Sequence, residues 1–217
     1  MDTLLFRLTG PMQSWGTQSR FGVRETELEP SKSGVIGLLC AALGRPYSAP
    51  VDDLANLRMG VRIDREGKPA VDYHVAQNIR RASATGGIKG SDVSTRHYLE
   101  DAAFLVGLEG DVTLLNSLQE ALKNPYNMLC LGRKAFVPGS PVWLKNGLRC
   151  GETLEEALNT YPCLCSTKEE QLRIVLDDPN GQRSRTDVPI SFAERKFSKR
   201  RIQIGFILSP QTMLEIT

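Results

Sequence analysis

Between Leu8 and Gly44 the chain carries residues suited to holding an anion. An apolar strand runs into Gly10-Pro11-Met12-Gln13-Ser14-Trp15-Gly16, a polar linker follows, and the chain restarts at Ser31-Lys32-Ser33-Gly34 before an apolar helix. Gly10 and Gly16 open backbone conformations closed to other residues; between them Gln13 offers an amide and Trp15 a stacking face. Arg20, Arg24 and Lys32 add positive charge nearby. Ser31 stands where an N-cap belongs, Val35, Ile36, Leu39 and Leu43 repeat at helical spacing, and Gly44 takes the C-cap position. Free N–H groups at such a helix start can hold a phosphate. The platform competes with a plainer reading, a tight glycine turn followed by an ordinary capped helix.

The net charge is only +2, from 27 Lys and Arg against 25 Asp and Glu, but the charges are segregated. Arg195-Lys196-Phe197-Ser198-Lys199-Arg200-Arg201 holds five cations in seven positions. The stretch from Gln77 to His97 carries Arg80, Arg81, Lys89 and Arg96 against a single acid, Asp92. Acids collect instead at Glu25 to Glu29, Glu152 to Glu156 and Lys168 to Asp178. A basic face for nucleic acid and an acidic face for a protein neighbour follow from this division.

The elements that position these residues alternate between strand and helix. Leu4, Phe6 and Leu8 predict a first strand, and the capped helix follows. Leu57, Met59, Val61 and Ile63, the turn Arg65-Glu66-Gly67-Lys68, and Val71, Tyr73 and Val75 read as a hairpin. From Asn78 to Ser94 periodicity disappears, as in a mobile excursion. Ala102 to Val106 predicts a buried strand, and Asp111 caps a helix through Leu115, Leu118 and Leu122 that ends before Pro125. The early elements match a ferredoxin-like layer of antiparallel strands backed by two helices. Strand-like runs at Leu172 to Leu176 and Arg201 to Ile207 place a smaller β-rich part after Gly139.

At 217 residues the chain buries a real core, and 41% hydrophobic with 24% charged residues is the balance of a globular protein. No segment approaches the roughly 20 apolar residues of a membrane span, and no signal-type run opens the chain, so the expected compartment is the cytoplasm, with no membrane partner. Five cysteines without ligand spacing argue for neither a disulfide framework nor a metal site; the closest pair, Cys163 and Cys165, reads as idle thiols.

Five stretches in order carry a family resemblance. Gly10 to Gly16, Ser31-Lys32-Ser33-Gly34-Val35-Ile36-Gly37-Leu38-Leu39, Asp72-Tyr73-His74, Tyr98-Leu99-Glu100-Asp101-Ala102-Ala103-Phe104 and Leu131-Gly132-Arg133-Lys134 together resemble the CasD subunits of type I-E CRISPR Cascade, within the RAMP superfamily. The likeness spans about two thirds of the chain; the tail is similar only in its basic, Phe-containing character around Phe192 to Arg201.

The resemblance implies an α+β fold: a ferredoxin-like (RRM-like) domain over 1–138 with a protruding β-hairpin thumb at about 78–97, then a small β-rich part over 139–217. It implies a noncatalytic subunit, without cofactor or metal, that holds the 5′ handle of the CRISPR RNA (crRNA). Such a subunit caps the filament of backbone subunits and meets the large subunit and, indirectly, target DNA. On that footing Gln13 hydrogen bonds and Trp15 stacks at the handle. Lys32 and Ser33 hold one phosphate with the helix start, and Arg133 and Lys134 hold another. Arg20 and Arg24 add charge, Arg80, Arg81, Lys89 and Arg96 carry the thumb onto RNA or a backbone subunit, and His74 faces RNA. Related type I-C subunits cut precursor RNA without metal, using a Tyr, a Lys and a His. Tyr47 and His97 are similar to two of these, but Arg96 replaces the lysine and exchanges protons poorly, so binding rather than cleavage is the expectation.

Overall fold

The computed structural model describes residues 1–17, 22–80, 86–166 and 169–210, with the backbone alone at Lys89. The elements run β1 (Asp2–Thr9), β2 (Met12–Gln13), β3 (Val23–Arg24), α1 (Lys32–Leu43), α2 (Asp52–Ala55), β4 (Arg58–Arg65), β5 (Lys68–Arg80), β6 (Ile88–Glu100) and β7 (Ala103–Gly110). They continue with α3 (Val112–Lys123), β8 (Trp143–Cys150), α4 (Leu154–Thr160), β9 (Gln171–Asp177), β10 (Arg183–Ser191) and β11 (Lys196–Leu208). It is a mixed α/β architecture with few helices and mostly antiparallel sheets.

Seven strands form the main sheet in the order β10-β11-β9-β4-β7-β1-β8, every pairing antiparallel. Successive side chains point to opposite faces, and both faces of the centre are covered. Leu4, Phe6 and Leu8 of β1 and Phe104, Val106 and Leu108 of β7 join the buried cluster that includes α1 and α3. Leu5 and Leu105 point the other way, into a cluster with Leu154, Ala157 and Leu158 of α4. Double coverage explains why β7 is buried almost without alternation. The helix ends follow the sequence: Ser31 accepts from the Gly34 N–H, Gly44 closes α1 in the left-handed conformation, and Asp111 caps α3.

One expectation is corrected. The segments containing Leu57 to Ile63 and Val71 to Val75 do not form a hairpin with each other: β4 pairs with β7 and β9, while β5 leaves the sheet and pairs along its length with β6. Burial explains the division. β4 is buried on both faces, whereas β5 is exposed along most of its length and has no place within the core. The stretch read as unpatterned from Asn78 to Ser94 thus contains the ends of two 13-residue strands, whose polar composition hides the period of two.

Strands beyond residue 139 lie at both ends of the main sheet, β8 beside β1 and β9 beside β4. Buried charges lock the C-terminal strands to the start of α1. The Lys32 ammonium donates to Asp177 Oδ2 at 2.9 Å and to the Leu57 carbonyl at 2.7 Å. Its backbone N–H donates to Asp187 Oδ2 at 2.9 Å, and Arg200 donates to both carboxylates. In the preceding linker, Glu29 is held by Arg173 and Arg185.

Candidate nucleic-acid interface

Three segments distant in sequence converge at the base of the β5–β6 hairpin. β2 pairs antiparallel with β6 through Met12–Glu100 and Gln13–Leu99, and β3 pairs parallel with it, Arg24 opposite Arg96. The third segment is the turn 131–136, closed by hydrogen bonds from Leu131 N–H to Phe136 O and from Phe136 N–H to Arg133 O. It docks on the glycine loop through Ser14 N–H to Leu131 O at 3.1 Å. Gly132 makes that approach possible: its φ is +88°, and a Cβ there would stand 1.7 Å from Ser14 O.

This docking fixes Arg133. Its guanidinium donates to the carbonyls of His97 at 2.7 Å and Arg24 at 3.4 Å and lies 5.3 Å from the Phe136 ring centre. Burial and the neighbouring guanidiniums of Arg96 and Arg24 push the Arg133 pKa down, and the opposing pull of Asp72 does not offset them. Three arginines are therefore held against mutual repulsion beside a cavity of about 240 Å³. Ser14, Arg24, Ser33, Arg133, Phe192 and Phe197 are among the residues in its wall. Crowded fixed guanidiniums are what a phosphate backbone neutralises.

Several expected contacts are corrected by burial. Trp15 is 1% exposed: its indole N–H donates to Gln13 Oε1 at 3.1 Å and its ring packs where a Cβ on Gly34 would sit. It stands in the cavity wall, but at this burial it offers a base almost no surface. Gln13 is fully buried and donates to the carbonyls of Leu8 and Ala102. Both residues shape the loop instead of presenting it. Lys32 is spent on Asp177, and the helix start is occupied from within, by Asp187 at the Lys32 N–H and by Ser31 at the Gly34 N–H. Ser33 remains in the cavity wall.

On the hairpin, Arg96 stands at the base and Arg80 pairs opposite Ile88 at the outer end of the ladder. The strand rises about 27 Å between Ile88 and Arg96. His74 is half exposed and lies 3.9 Å from Asp72. Arg20 and Arg81 lie outside the described residues, as does the Lys89 side chain. Lys134 is exposed beside Arg133. The Tyr47 ring stacks on Phe192 at 6.0 Å, in a cavity whose wall includes Lys134 and does not include His97. In the basic C-terminal run, Arg200 is internal and paired with Asp177 and Asp187. Phe192 and Phe197, 6.4 Å apart edge to face, were not anticipated as wall residues; their pairing across the β10–β11 turn is the signal available in sequence. Among the described residues no group of three or more His, Cys, Asp or Glu side chains is arranged to hold a metal, and no helix is long and apolar enough to cross a membrane.

The family model described as CRISPR-associated protein (Cas_Cas5) matches residues 3–203. The chain belongs to this family. A curated relative, the CRISPR system Cascade subunit CasD of Escherichia coli (strain K12), is 31% identical over 157 residues, which cover 65% of this chain and 69% of the relative. Two solved structures are similar over nearly the whole fold. One, described as the crystal structure of a Cas protein, has a TM-score of 0.79 at 44% identity, covering 96% of this chain and 98% of that one. The other, from a CRISPR RNA-guided surveillance complex, has a TM-score of 0.79 at 31% identity, covering 96% and 91%. The Cas5 match includes the glycine loop, the hairpin and the Gly132 turn, the segments that build the three-arginine cluster.

Proposed function

We propose that this chain is a noncatalytic crRNA-binding subunit of a type I-E Cascade antiviral surveillance complex, working in the cytoplasm. It holds the 5′ handle of the crRNA and caps the filament of backbone subunits. Its other partners are the large subunit and, indirectly, target DNA. The observation that carries this reading is the cluster of Arg24, Arg96 and Arg133, whose mutual repulsion Asp72 offsets only in part. The family match and the likeness to a chain of an RNA-guided complex support the same reading. The order β4-β7-β1-β8, backed by α1 and α3, supports reading this part as a ferredoxin-like layer with the β5–β6 hairpin as its thumb.

Binding without cleavage is supported by the replacement of a proton-exchanging lysine by Arg96 and by the absence of His97 from the cavity that holds Tyr47. The test is metal-free incubation with labelled repeat RNA, read on one gel for shift and cleavage. A handle-dependent shift without cleavage is expected; cleavage lost in His97→Ala would make the chain a processing endoribonuclease. In the same assay Arg133→Ala is expected to weaken binding and to lower the slope of log affinity against log salt by about one. An unchanged slope would remove Arg133 from the phosphate contacts.

A further inference from the structure

A second cavity, of about 670 Å³, lies across Phe192 from the arginine cluster, and Phe192 is in the wall of both. Its wall includes Tyr47, Met128, Asn127 and Lys134. Tyr47 is 64% exposed and Met128 is 73% exposed, so an aromatic face and a thioether stand open to solvent. The Tyr47 and Phe192 rings meet at 29°, and Phe192 is steadied from the other side by Phe197.

The polar groups on this wall have a pattern. Arg45 is committed to a two-pronged pair with Asp53, at 2.7 and 2.5 Å. Lys134 has no acidic partner among the described residues, and it follows directly on Arg133 of the first cavity. Asn127 spends its amide N–H on the Ala41 carbonyl at 3.2 Å, and its Oδ1 accepts no hydrogen bond from the described residues. An exposed aromatic face, a polarisable thioether, one open acceptor and one unpaired cation suit a planar heterocycle that donates a hydrogen bond and carries a phosphate.

We propose that this second cavity is a nucleobase pocket. One unstacked base of the bound RNA lies on Tyr47 beside Phe192 and Met128, a ring N–H or exocyclic amine of that base donates to Asn127 Oδ1, and Lys134 meets the adjoining phosphate. The strand then runs from the Arg24–Arg96–Arg133 cluster past Phe192 into the pocket. This assignment rests on the RNA-binding reading above and names where a base of that RNA sits.

The test uses the full chain, labelled single-stranded repeat RNA over a range of salt, and the same RNA carrying 4-thiouridine for photo-cross-linking. Tyr47→Ala is expected to weaken binding about five- to one hundred-fold while leaving the salt slope unchanged, because stacking is lost and no phosphate contact is. Tyr47→Phe is expected to retain wild-type affinity, and Lys134→Ala to lower the slope by about one. Cross-links are expected on Tyr47, Met128 or Phe192. Wild-type affinity in Tyr47→Ala, with cross-links confined to other residues, would overturn the pocket and leave RNA binding standing. Failure of the wild-type chain to bind RNA would overturn the parent reading and the pocket with it. A Tyr47→Ala chain with normal RNA affinity and impaired assembly with other subunits, where the wild-type chain gives no cross-links in this cavity, would assign the cavity to a protein partner and overturn the proposal.

Discussion

Asp187→Ala is expected to destabilise the fold by about 3–5 kcal/mol, read as the midpoint of urea unfolding at neutral pH. Asp187 is 1% exposed, accepts two hydrogen bonds from Arg200 at 2.7 and 2.8 Å, and accepts the Lys32 N–H that opens α1. Truncation takes from a buried guanidinium one of its two carboxylates, leaving only Asp177, and removes the acceptor of a buried N–H, a situation in which a broken internal pair is costly. Burial alone would push the Asp187 carboxyl up, but its hydrogen bonds from Arg200 and the positive charge around it hold it below its ordinary value. A depressed carboxyl contributes stability that is full above its unfolded pKa of about 3.9 and is lost as pH falls through the folded value. Wild-type stability is therefore expected to decline on acidification, and Asp187→Asn, already weakened at neutral pH, to decline less steeply. Equal midpoints at neutral pH with parallel acid limbs would show that the pair does not tie α1 to the C-terminal strands.

Gly132→Ala is expected to reduce RNA affinity at least as far as Arg133→Ala does. The left-handed backbone at Gly132 costs a residue with a side chain about 1–3 kcal/mol. The larger obstacle is Ser14 O, 1.7 Å from the position of the new Cβ, which forces the turn off the glycine loop. Arg133 would then leave the carbonyls of His97 and Arg24, and the three-arginine cluster would open. Gly151 supplies the control: its φ is +78° and nothing lies within 4 Å of a Cβ built there. Gly151→Ala therefore carries the backbone strain without the clash. Equal RNA affinities for the two alanine variants would show that turn docking does not place Arg133.

Elements whose signals are local were legible in the chain. Ser31, Gly44 and Asp111 mark helix ends because capping is a matter of a few adjacent residues. Val71, Tyr73 and Val75 marked the inner part of β5, but the outer ends of β5 and β6 were missed as regular strands because both faces of the hairpin are largely solvated there and no apolar alternation marks them. The candidate site divides in the same way. Arg133, Arg96 and Arg24 were legible as cations, and the Leu131-Gly132-Arg133-Lys134 turn as a unit worth noting. Their convergence was not, since it depends on β6 pairing with β3 at one register and on Ser14 docking against Leu131.

Residue type could not say which of the loop residues face outward. Trp15 and Lys32 have the chemistry to touch RNA, yet each is buried. Trp15 fills the space beside Gly34, which has no side chain, and Lys32 meets the carboxylate of Asp177, 145 residues away. By itself the sequence determined the helix caps, the segregation of charge and the family. Tertiary structure decided which cations remain open to a ligand and which are consumed as internal counter-ions, because burial and pairing are set by residues far along the chain, and no local pattern encodes them.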